Sequence, residues 1–136
     1  MTFAIKAEIT DPEADTFAFI AEKTMYGGKR IAAGHEVFVF ASENEGGGGL
    51  LAAGVVITAD AVARVGGVAR QTPRVSVTVR RTAAAKRPLG GRELKPSSDW
   101  QNGRPETELN FKLYRQATNK VVGISSAAAA FLRERC

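Results

Sequence analysis

Two apolar runs joined by glycines limit what this chain can fold into. The first run is Val37 to Ala41 and the second is Leu50 to Ile57. Both are short and rich in aliphatic, β-branched or aromatic residues, which is typical of β-strands. Neither run alternates with polar residues, so each predicts a strand that is covered on both faces. A closed barrel or a covered sheet provides such an environment.

The segment between the two runs carries four consecutive glycines, Gly46 to Gly49. A phosphate-binding loop of the Walker type requires Gly-Lys-Ser/Thr and then a helix, whose N-terminus meets the phosphate. Here Leu50 and Leu51 follow instead, and the carboxylates of Glu43 and Glu45 would repel phosphate. The glycines therefore predict the tip of a β-hairpin.

Three further segments have strand patterns. Residues 74 to 82 alternate almost regularly, with three valines on one face and Ser76, Thr78 and Arg80 on the other. This predicts a strand with a buried face and a solvated, basic face. Phe3 to Ile9 predicts an opening strand, and Val121 to Ile124 predicts a short late strand.

Two helices are predicted at opposite ends of the chain. Thr10 and Glu13 have capping-box spacing, and the apolar residues that follow recur at helical intervals, so a helix is expected over 12–24. Tyr26-Gly27-Gly28 would end it, because glycine tolerates the left-handed helix exit. Ser125 or Ser126 would cap a final helix over 127–135.

Residues 86–105 are rich in proline, glycine and serine and predict a long loop, with a short helical turn at 92–94. Loops of this length in small domains commonly carry function. Leu109, Phe111 and Leu113 have a period of two, which favours a strand, although residues 106–114 could also form two helical turns.

Length and composition point to one domain spanning residues 1–136. No apolar run reaches the roughly 18–20 residues of a membrane span, and the N-terminus lacks the apolar core of a signal peptide. The chain has one cysteine, Cys136, and one histidine, His35, so neither an internal disulfide nor a metal-ligand cluster is expected. These features predict a cytoplasmic protein without a metal or another cofactor.

The net charge of +5 is unevenly distributed. Residues 1–63 have a balance of −5, whereas residues 64–115 carry twelve Lys or Arg against four Asp or Glu, a balance of +8. A concentrated basic segment can attract phosphate backbones whatever their sequence. A solvated surface would also explain it.

Aromatic residues stand among cations at three places in the sequence: 23–30, 97–104 and 112–116. Proteins that hold an unstacked base use aromatic faces for stacking and Arg or Lys for phosphates. In this interpretation Tyr26 and Trp100 stack on a base, and Tyr114, in the third segment, is a further candidate for nucleic-acid or base binding. The phosphate-binding candidates are Lys23, Arg30, Arg104 and Arg115. Asp99 and Asn102 would select the base by hydrogen bonds. Trp100 could alternatively anchor its loop to the core, and Tyr26 and Tyr114 could be core or rim residues.

The order of elements resembles PUA-like domains of the EVE and ASCH type. The residues that carry the resemblance are Lys29 to Phe40, which match a "K/R-x-I-x-x-G-D" turn entering a strand with His35 in place of the Asp, followed by Gly54-Val55-Val56. The closing segment, Gln116 to Ser125 with a helix ending in Phe131-Leu132, is similar to the end of an EVE domain.

The resemblance implies an α+β fold, a twisted mixed β-barrel flanked by short helices, with a cleft that binds RNA or a modified base in DNA. It would place Lys23, Tyr26 and Arg30 near the cleft, and Trp100 and Arg104 on the loop that closes it. A nucleic-acid or nucleobase partner, bound without catalysis, is the leading expectation.

Two other functions stay open at this point. Some ASCH-like proteins are thought to be hydrolases or ribonucleases that act on RNA or an acylated nucleoside. Lys23 would then be the catalytic base, activated by burial and by the charges of Lys29 and Arg30. No G-x-S-x-G nucleophile motif is present, which gives no support to a serine hydrolase. A purely structural or protein-interaction domain would have neither a cleft nor salt-sensitive binding.

Overall fold

A computed structural model describes all residues, from Met1 to Cys136. Six strands close into a barrel: β1 (Thr2–Ala7), β2 (Thr16–Met25), β3 (Glu36–Ala41), β4 (Gly49–Ala61), β5 (Arg74–Ala84) and β6 (Lys120–Ile124). Their order around the barrel is β1-β3-β4-β5-β2-β6. The β1–β3 and β2–β6 pairs are parallel and the other four pairs are antiparallel, so the barrel is mixed.

Three short helices cover one side of the barrel: α1 (Gly91–Leu94), α2 (Pro105–Leu109) and α3 (Ser126–Arg133). Helix α2 continues directly into a π-helical turn, Asn110–Tyr114. Short 3₁₀ turns at Gly28–Arg30 and Glu43–Glu45 precede β3 and β4. No helix has both the length and the apolar character needed to span a membrane.

The two faces of β3 are both apolar, and each face is buried in a different core layer. Val37 and Val39 point into the barrel, where they pack with Phe3 and Ile5 of β1. The alternate residues of β3, Phe38 and Phe40, point outward and are buried beneath the helices. The outer layer also contains Leu94, Leu109, Leu113 and Leu132, which come from all three helices and the π-helical turn. The predicted barrel is confirmed, and β3 is covered on both faces as expected. The same expectation is wrong for most of β4, where buried residues alternate with partly buried ones and Ile57 is 44% exposed.

The glycine run lies in a β-hairpin, as predicted. Strands β3 and β4 pair antiparallel from Glu36↔Val55 to Ala41↔Gly49. Gly46 and Gly49 have positive φ angles of 86° and 90°. A side chain at Gly49 would also overlap the backbone of Leu89 and Gly90, so the chain before α1 lies directly against the hairpin.

The predicted helix over 12–24 is wrong, because this segment is mainly strand β2. Phe17 and Phe19 alternate with exposed residues and point into the barrel, and Thr16–Phe19 pair with β5. Asp11 starts a turn instead of a helix: its carboxylate accepts from Glu13 N at 3.0 Å, and its carbonyl accepts from Ala14 N at 3.2 Å. Strand β2 forms because it pairs with β5 on one side and β6 on the other. This pairing stabilises the segment more than a helix built on a weak helical spacing of apolar residues would.

The strand favoured at Leu109–Leu113 is also wrong, and the helical alternative is correct. Leu109 and Leu113 are fully buried, whereas Phe111 is only partly buried. A spacing of four places Leu109 and Leu113 on the same helix face and turns Phe111 away from them. This difference determines which aromatic residue reaches the surface.

The remaining predictions of secondary structure are confirmed with adjusted ends. Strand β5 extends to Ala84, and β6 begins at Lys120. The short turn at 92–94 is helix α1. The final helix covers Ser126–Arg133, shorter at its end than the predicted 127–135.

Ser125 is the N-cap of α3. Its hydroxyl oxygen accepts a hydrogen bond from Ala128 N at 3.1 Å, and its backbone N–H donates to Glu108 Oε2 at 2.8 Å. We expect Ser125→Ala to lower the free energy of unfolding by about 1–2 kcal/mol, because an N-terminal helix N–H loses its partner. Urea unfolding of this variant beside Ser126→Ala measures the effect. Equal losses in the two variants would contradict this role for Ser125.

Candidate nucleic-acid interface

Three aromatic side chains from distant parts of the sequence meet beside the helical side of the barrel. Tyr26 follows the end of β2, Trp100 lies in the loop between α1 and α2, and Phe111 lies in the π-helical turn. The Phe111 ring centroid is 5.8 Å from that of Tyr26 and 5.3 Å from that of Trp100. We call Tyr26, Trp100 and Phe111 the aromatic cluster.

The outer members of this cluster are open to solvent. Trp100 is 45% exposed and Tyr26 is 37% exposed, which is high for large aromatic residues. Tyr26 also has a φ angle of 52°, in the left-handed region that side chains rarely adopt. Strained residues of this kind are concentrated at binding and active sites.

Cations lie on the aromatic cluster. The Arg115 guanidinium carbon is 4.0 Å from the Phe111 ring centroid, a cation–π contact, and Arg115 is an exposed residue. Lys112 Nζ is 5.7 Å from the Tyr26 ring centroid. Unlike Arg115, Lys112 is already engaged, because its amine contacts Glu108 at 3.1 Å and the Gly123 carbonyl at 2.8 Å.

Glu108 holds Lys112 in place as a carboxylate. Burial opposes its ionisation, but hydrogen bonds from Ser125 and Lys112 outweigh that effect and lower the pKa of Glu108. Glu108 therefore links the N-terminus of α3 to the cation beside Tyr26.

The predicted base-reading residues lie on the exposed loop around Trp100. A turn joins Asp99 to Asn102, whose N–H donates to the Asp99 carbonyl at 3.0 Å. The Asn102 side-chain oxygen accepts from Arg104 N at 3.0 Å, which leaves its amide NH₂ as a free donor. The Arg104 guanidinium is exposed and contacts Glu106 at 3.2 Å. These residues are thus neighbours of Trp100 along the loop, and their observed contacts are with one another and with Glu106.

Tyr114 lies inside the protein, away from the aromatic cluster. Its ring packs edge-on against Phe40, and Lys6 Nζ is 5.1 Å from the ring centroid. The hydroxyl is buried beside the Glu43 carboxylate. Burial, together with the nearby Glu43 carboxylate, raises the pKa of Tyr114.

Lys23 and Arg30 also lie outside the aromatic cluster. Arg30 is exposed in the 3₁₀ turn after Tyr26. Lys23 lines a cavity together with Lys29 and Arg74. The lining of that cavity includes no carboxylate or imidazole that could exchange protons with a Lys23 base.

Phe111 is the residue that the sequence interpretation missed. It stands directly before the third aromatic and basic segment, but a period of two placed it with the core residues Leu109 and Leu113. A helical reading of 106–114 would have separated it from them and turned it toward solvent.

Two buried lysines were also missed. Lys6 of β1 donates to the Leu113 carbonyl at 2.7 Å, and Lys120 of β6 donates to the Gln116 carbonyl at 3.2 Å. Both residues are at most 3% exposed, and burial lowers the pKa of each amine. These amines satisfy carbonyls at the end of the π-helical turn, and so hold the segment that carries Phe111 and Arg115 against the barrel.

No group of His, Cys, Asp or Glu side chains is arranged to hold a metal ion. The chemistry that the site offers is aromatic stacking, hydrogen bonding from an exposed loop, and attraction of negative charge.

The fold matches several solved structures. The crystal structure of the DUF55 domain of human thymocyte nuclear protein 1 has a TM-score of 0.66 and 14% identity, and the match covers 98% of this chain and 97% of that one. The structure of human THYN1 in complex with 5-methylcytosine-containing DNA has a TM-score of 0.63 and 14% identity, and the match covers 98% of this chain and 95% of that one. The crystal structure of a Pseudomonas syringae protein has a TM-score of 0.59 and 17% identity, and the match covers both chains fully.

No protein-family model and no curated protein sequence matches the chain. At these identities the structural matches establish the fold. The chain has the fold of the DUF55 domain of human thymocyte nuclear protein 1, and its closed mixed barrel with short helices confirms the fold that the sequence resemblance implied.

Proposed function

We propose that this chain binds nucleic acid and stacks an unpaired or modified base on the aromatic cluster. The observation that carries the proposal is the meeting of Tyr26, Trp100 and Phe111, with two exposed rings and the Arg115 cation on the central ring. Each base stacked on an aromatic face contributes about 1–3 kcal/mol, and any base can stack.

Solvent exposure of the rings is what distinguishes this cluster from ordinary packing. An aromatic group with only a structural role would gain most by full burial. Here Trp100 keeps nearly half of its surface in water while its loop carries Asp99, Asn102 and Arg104, which supply an acceptor, a donor and a charge. This combination suits a base and its phosphate.

The electrostatics favour the same partner. The segment of residues 64–115, which includes Trp100, Phe111 and Arg115, has a charge balance of +8. In addition, one structure with the same fold, THYN1, is a complex with DNA that contains 5-methylcytosine. We therefore include a methylated base among the ligands to be tested.

The sole tryptophan provides a direct test. We expect Trp100 fluorescence to be quenched when single-stranded RNA or DNA is added, and the quenching to weaken at higher salt, because phosphate binding releases counterions. The titration is run at two salt concentrations with matched oligonucleotides that contain cytosine or 5-methylcytosine. Unchanged fluorescence with every oligonucleotide, single-stranded or duplex, would refute base stacking at Trp100.

A substitution series then locates the base. We expect Trp100→Ala to weaken binding of a labelled oligonucleotide about 10–100-fold, the loss of one stacked base. Ile20→Ala is the matched control, because Ile20 is 73% exposed on β2 and lies outside the aromatic cluster. Fluorescence anisotropy reports the affinities. Equal affinities for the two variants would place the nucleic acid elsewhere on the surface.

A further inference from the structure

A second site lies at the end of the barrel where β4 turns into β5. The loop between these strands lines an open cavity of about 610 Å³, a volume within the range of ligand-binding pockets. Its lining includes five cationic side chains: Lys23, Lys29, Arg64, Arg70 and Arg74. We call this cavity the cationic cavity.

The lining of the cationic cavity carries only positive charge, and Glu22, which lies near Arg74 but outside the lining, offsets part of it. None of its fourteen lining residues is acidic. Cations held around one concave space repel one another and raise the local concentration of anions. Arg74 donates to the Ala21 carbonyl at 2.7 Å and Arg64 to the Ala69 carbonyl at 3.3 Å, but neither bond neutralises charge.

The wall of the cationic cavity is also apolar. Val62, Val65 and Val68 are 39%, 65% and 50% exposed, and all three line the cavity. Three exposed valines within seven residues are unusual for a solvated loop. The cavity therefore fits a ligand that combines negative charge with an apolar surface, as a sugar-phosphate chain does.

The loop is held in shape before any ligand arrives. The Gln71 side chain accepts from Val65 N at 2.8 Å and donates to the carbonyls of Val65 at 2.7 Å and Val68 at 2.9 Å. Thr24 of β2 donates to the Pro73 carbonyl through both its N–H and its hydroxyl, at 3.0 and 2.7 Å. A preformed loop loses less entropy on binding than a mobile one.

The cationic cavity is adjacent to the aromatic cluster along the chain. Tyr26 stands three residues after Lys23 and three before Lys29, and both lysines line the cavity. Three residues span at most about 10–11 Å, so one strand of nucleic acid can reach from the ring to the cations.

We propose that the cationic cavity binds phosphodiester groups of the same nucleic-acid strand whose base stacks on the aromatic cluster. This inference rests on the proposed function and adds a backbone-binding site to it. Contacts of this kind fix the position of the strand but do not read the base, so they change affinity equally for every sequence.

The test uses the double variant Lys29→Gln/Arg70→Gln. Both side chains are exposed and make no hydrogen bond or ion pair within the protein, so the fold should be retained. We expect binding of a labelled oligonucleotide to weaken about tenfold, and the slope of log affinity against log salt to fall by roughly 1.5, because two phosphate contacts are lost. The affinity ratio between 5-methylcytosine and cytosine oligonucleotides should not change.

The matched control is Lys86→Gln/Arg87→Gln, which removes the same two charges from exposed positions outside the cationic cavity. The two double variants could show the same salt slope while the wild type still binds and Trp100→Ala still weakens binding. That result would overturn phosphate binding by the cationic cavity but not base stacking at Trp100. No binding of any oligonucleotide by the wild type would overturn the proposed function and this inference together. A nucleoside monophosphate could instead bind in a manner that depends on Lys29 and Arg70 and leave the oligonucleotide bound. That result would overturn the proposal that one strand occupies both the cationic cavity and the aromatic cluster.

Discussion

Replacing Gly28 by alanine should lower the free energy of unfolding by at least about 3 kcal/mol, at the upper end of the cost of overpacking. A Cβ atom at this position would overlap the carbonyl oxygen of Val121 and lie 2.7 Å from its carbonyl carbon. The obstacle is the backbone of β6, so no side-chain rotation can relieve the overlap.

The close approach at Gly28 joins the aromatic cluster to the barrel. Gly123 of β6 lies on the other side of the same contact: its N–H donates to the Tyr26 carbonyl at 3.2 Å, and a Cβ there would be 2.6 Å from that oxygen. The turn that presents Tyr26 is thus packed backbone to backbone against β6. Gly28→Ala should therefore also reduce oligonucleotide binding, in the direction expected for Trp100→Ala.

Gly48→Ala is the matched control for Gly28→Ala. A Cβ at Gly48 meets no atom within 4 Å, and the φ angle of this residue is not positive. We expect its stability to equal that of the wild type or to exceed it slightly, because alanine restricts the unfolded chain. Coincident denaturation midpoints for the two variants would show that the turn and β6 do not pack as described.

The free energy of unfolding should rise by about 2–3 kcal/mol as the pH increases from 8 to 10, because a buried lysine then loses its charge. Burial lowers the pKa of Lys120 from 10.5 to about 8, and the charges of Lys6 and Arg115 act in the same direction. The pKa of Lys6 is also lowered, by burial and by Lys95, against an opposing effect of Glu43.

The sign follows from proton binding in the two states. Between pH 8 and 10 the unfolded chain keeps the proton on Lys120, whereas the folded protein has released it. The unfolded state therefore binds more protons, and stability increases with pH. Above about pH 10 the effect of Tyr114 is opposite, because an exposed tyrosine ionises there and the buried one does not. Stability should pass through a maximum near pH 10.

Urea unfolding at a series of pH values measures this profile. Lys120→Met should lose most of the rise between pH 8 and 10 and should be more stable than the wild type at pH 7, because it removes a buried charge. Tyr114→Phe should lose the decline above pH 10. A wild-type profile that is flat or falls from pH 8 to 10 would contradict the lowered pKa of Lys120.

The local sequence pattern predicted the structure correctly where a single physical effect, such as burial or backbone conformation, dominated. The double-sided apolar run of β3 required covering on both faces, and the barrel interior and the helices supply these two covers. The glycines between β3 and β4 permitted a hairpin with positive φ angles. The valine alternation of β5 required one buried face. None of these features depends on which other segment provides the partner surface.

Local pattern failed where long-range pairing determined the structure. The segment around Phe17 and Phe19 has both helical and alternating spacing, and only the open edges of β5 and β6 select the strand. The aromatic cluster has the same origin. Tyr26 and Trp100 were predicted because each stands among cationic residues in the sequence. Phe111, the ring that joins them, was not, because the period of two assigned it to a strand although it lies in a helical turn.

The sequence by itself determined β-rich segments with buried faces, the hairpin at the glycine run and the basic segment, because backbone preference and burial act over a few neighbouring residues. Only the tertiary structure decided that Tyr26 and Trp100 meet through Phe111, that Tyr114 lies inside, and that Lys23 belongs to a separate cavity. Barrel closure brings residues far apart in sequence within a few ångströms, and that proximity depends on the summed packing of all six strands rather than on any local pattern.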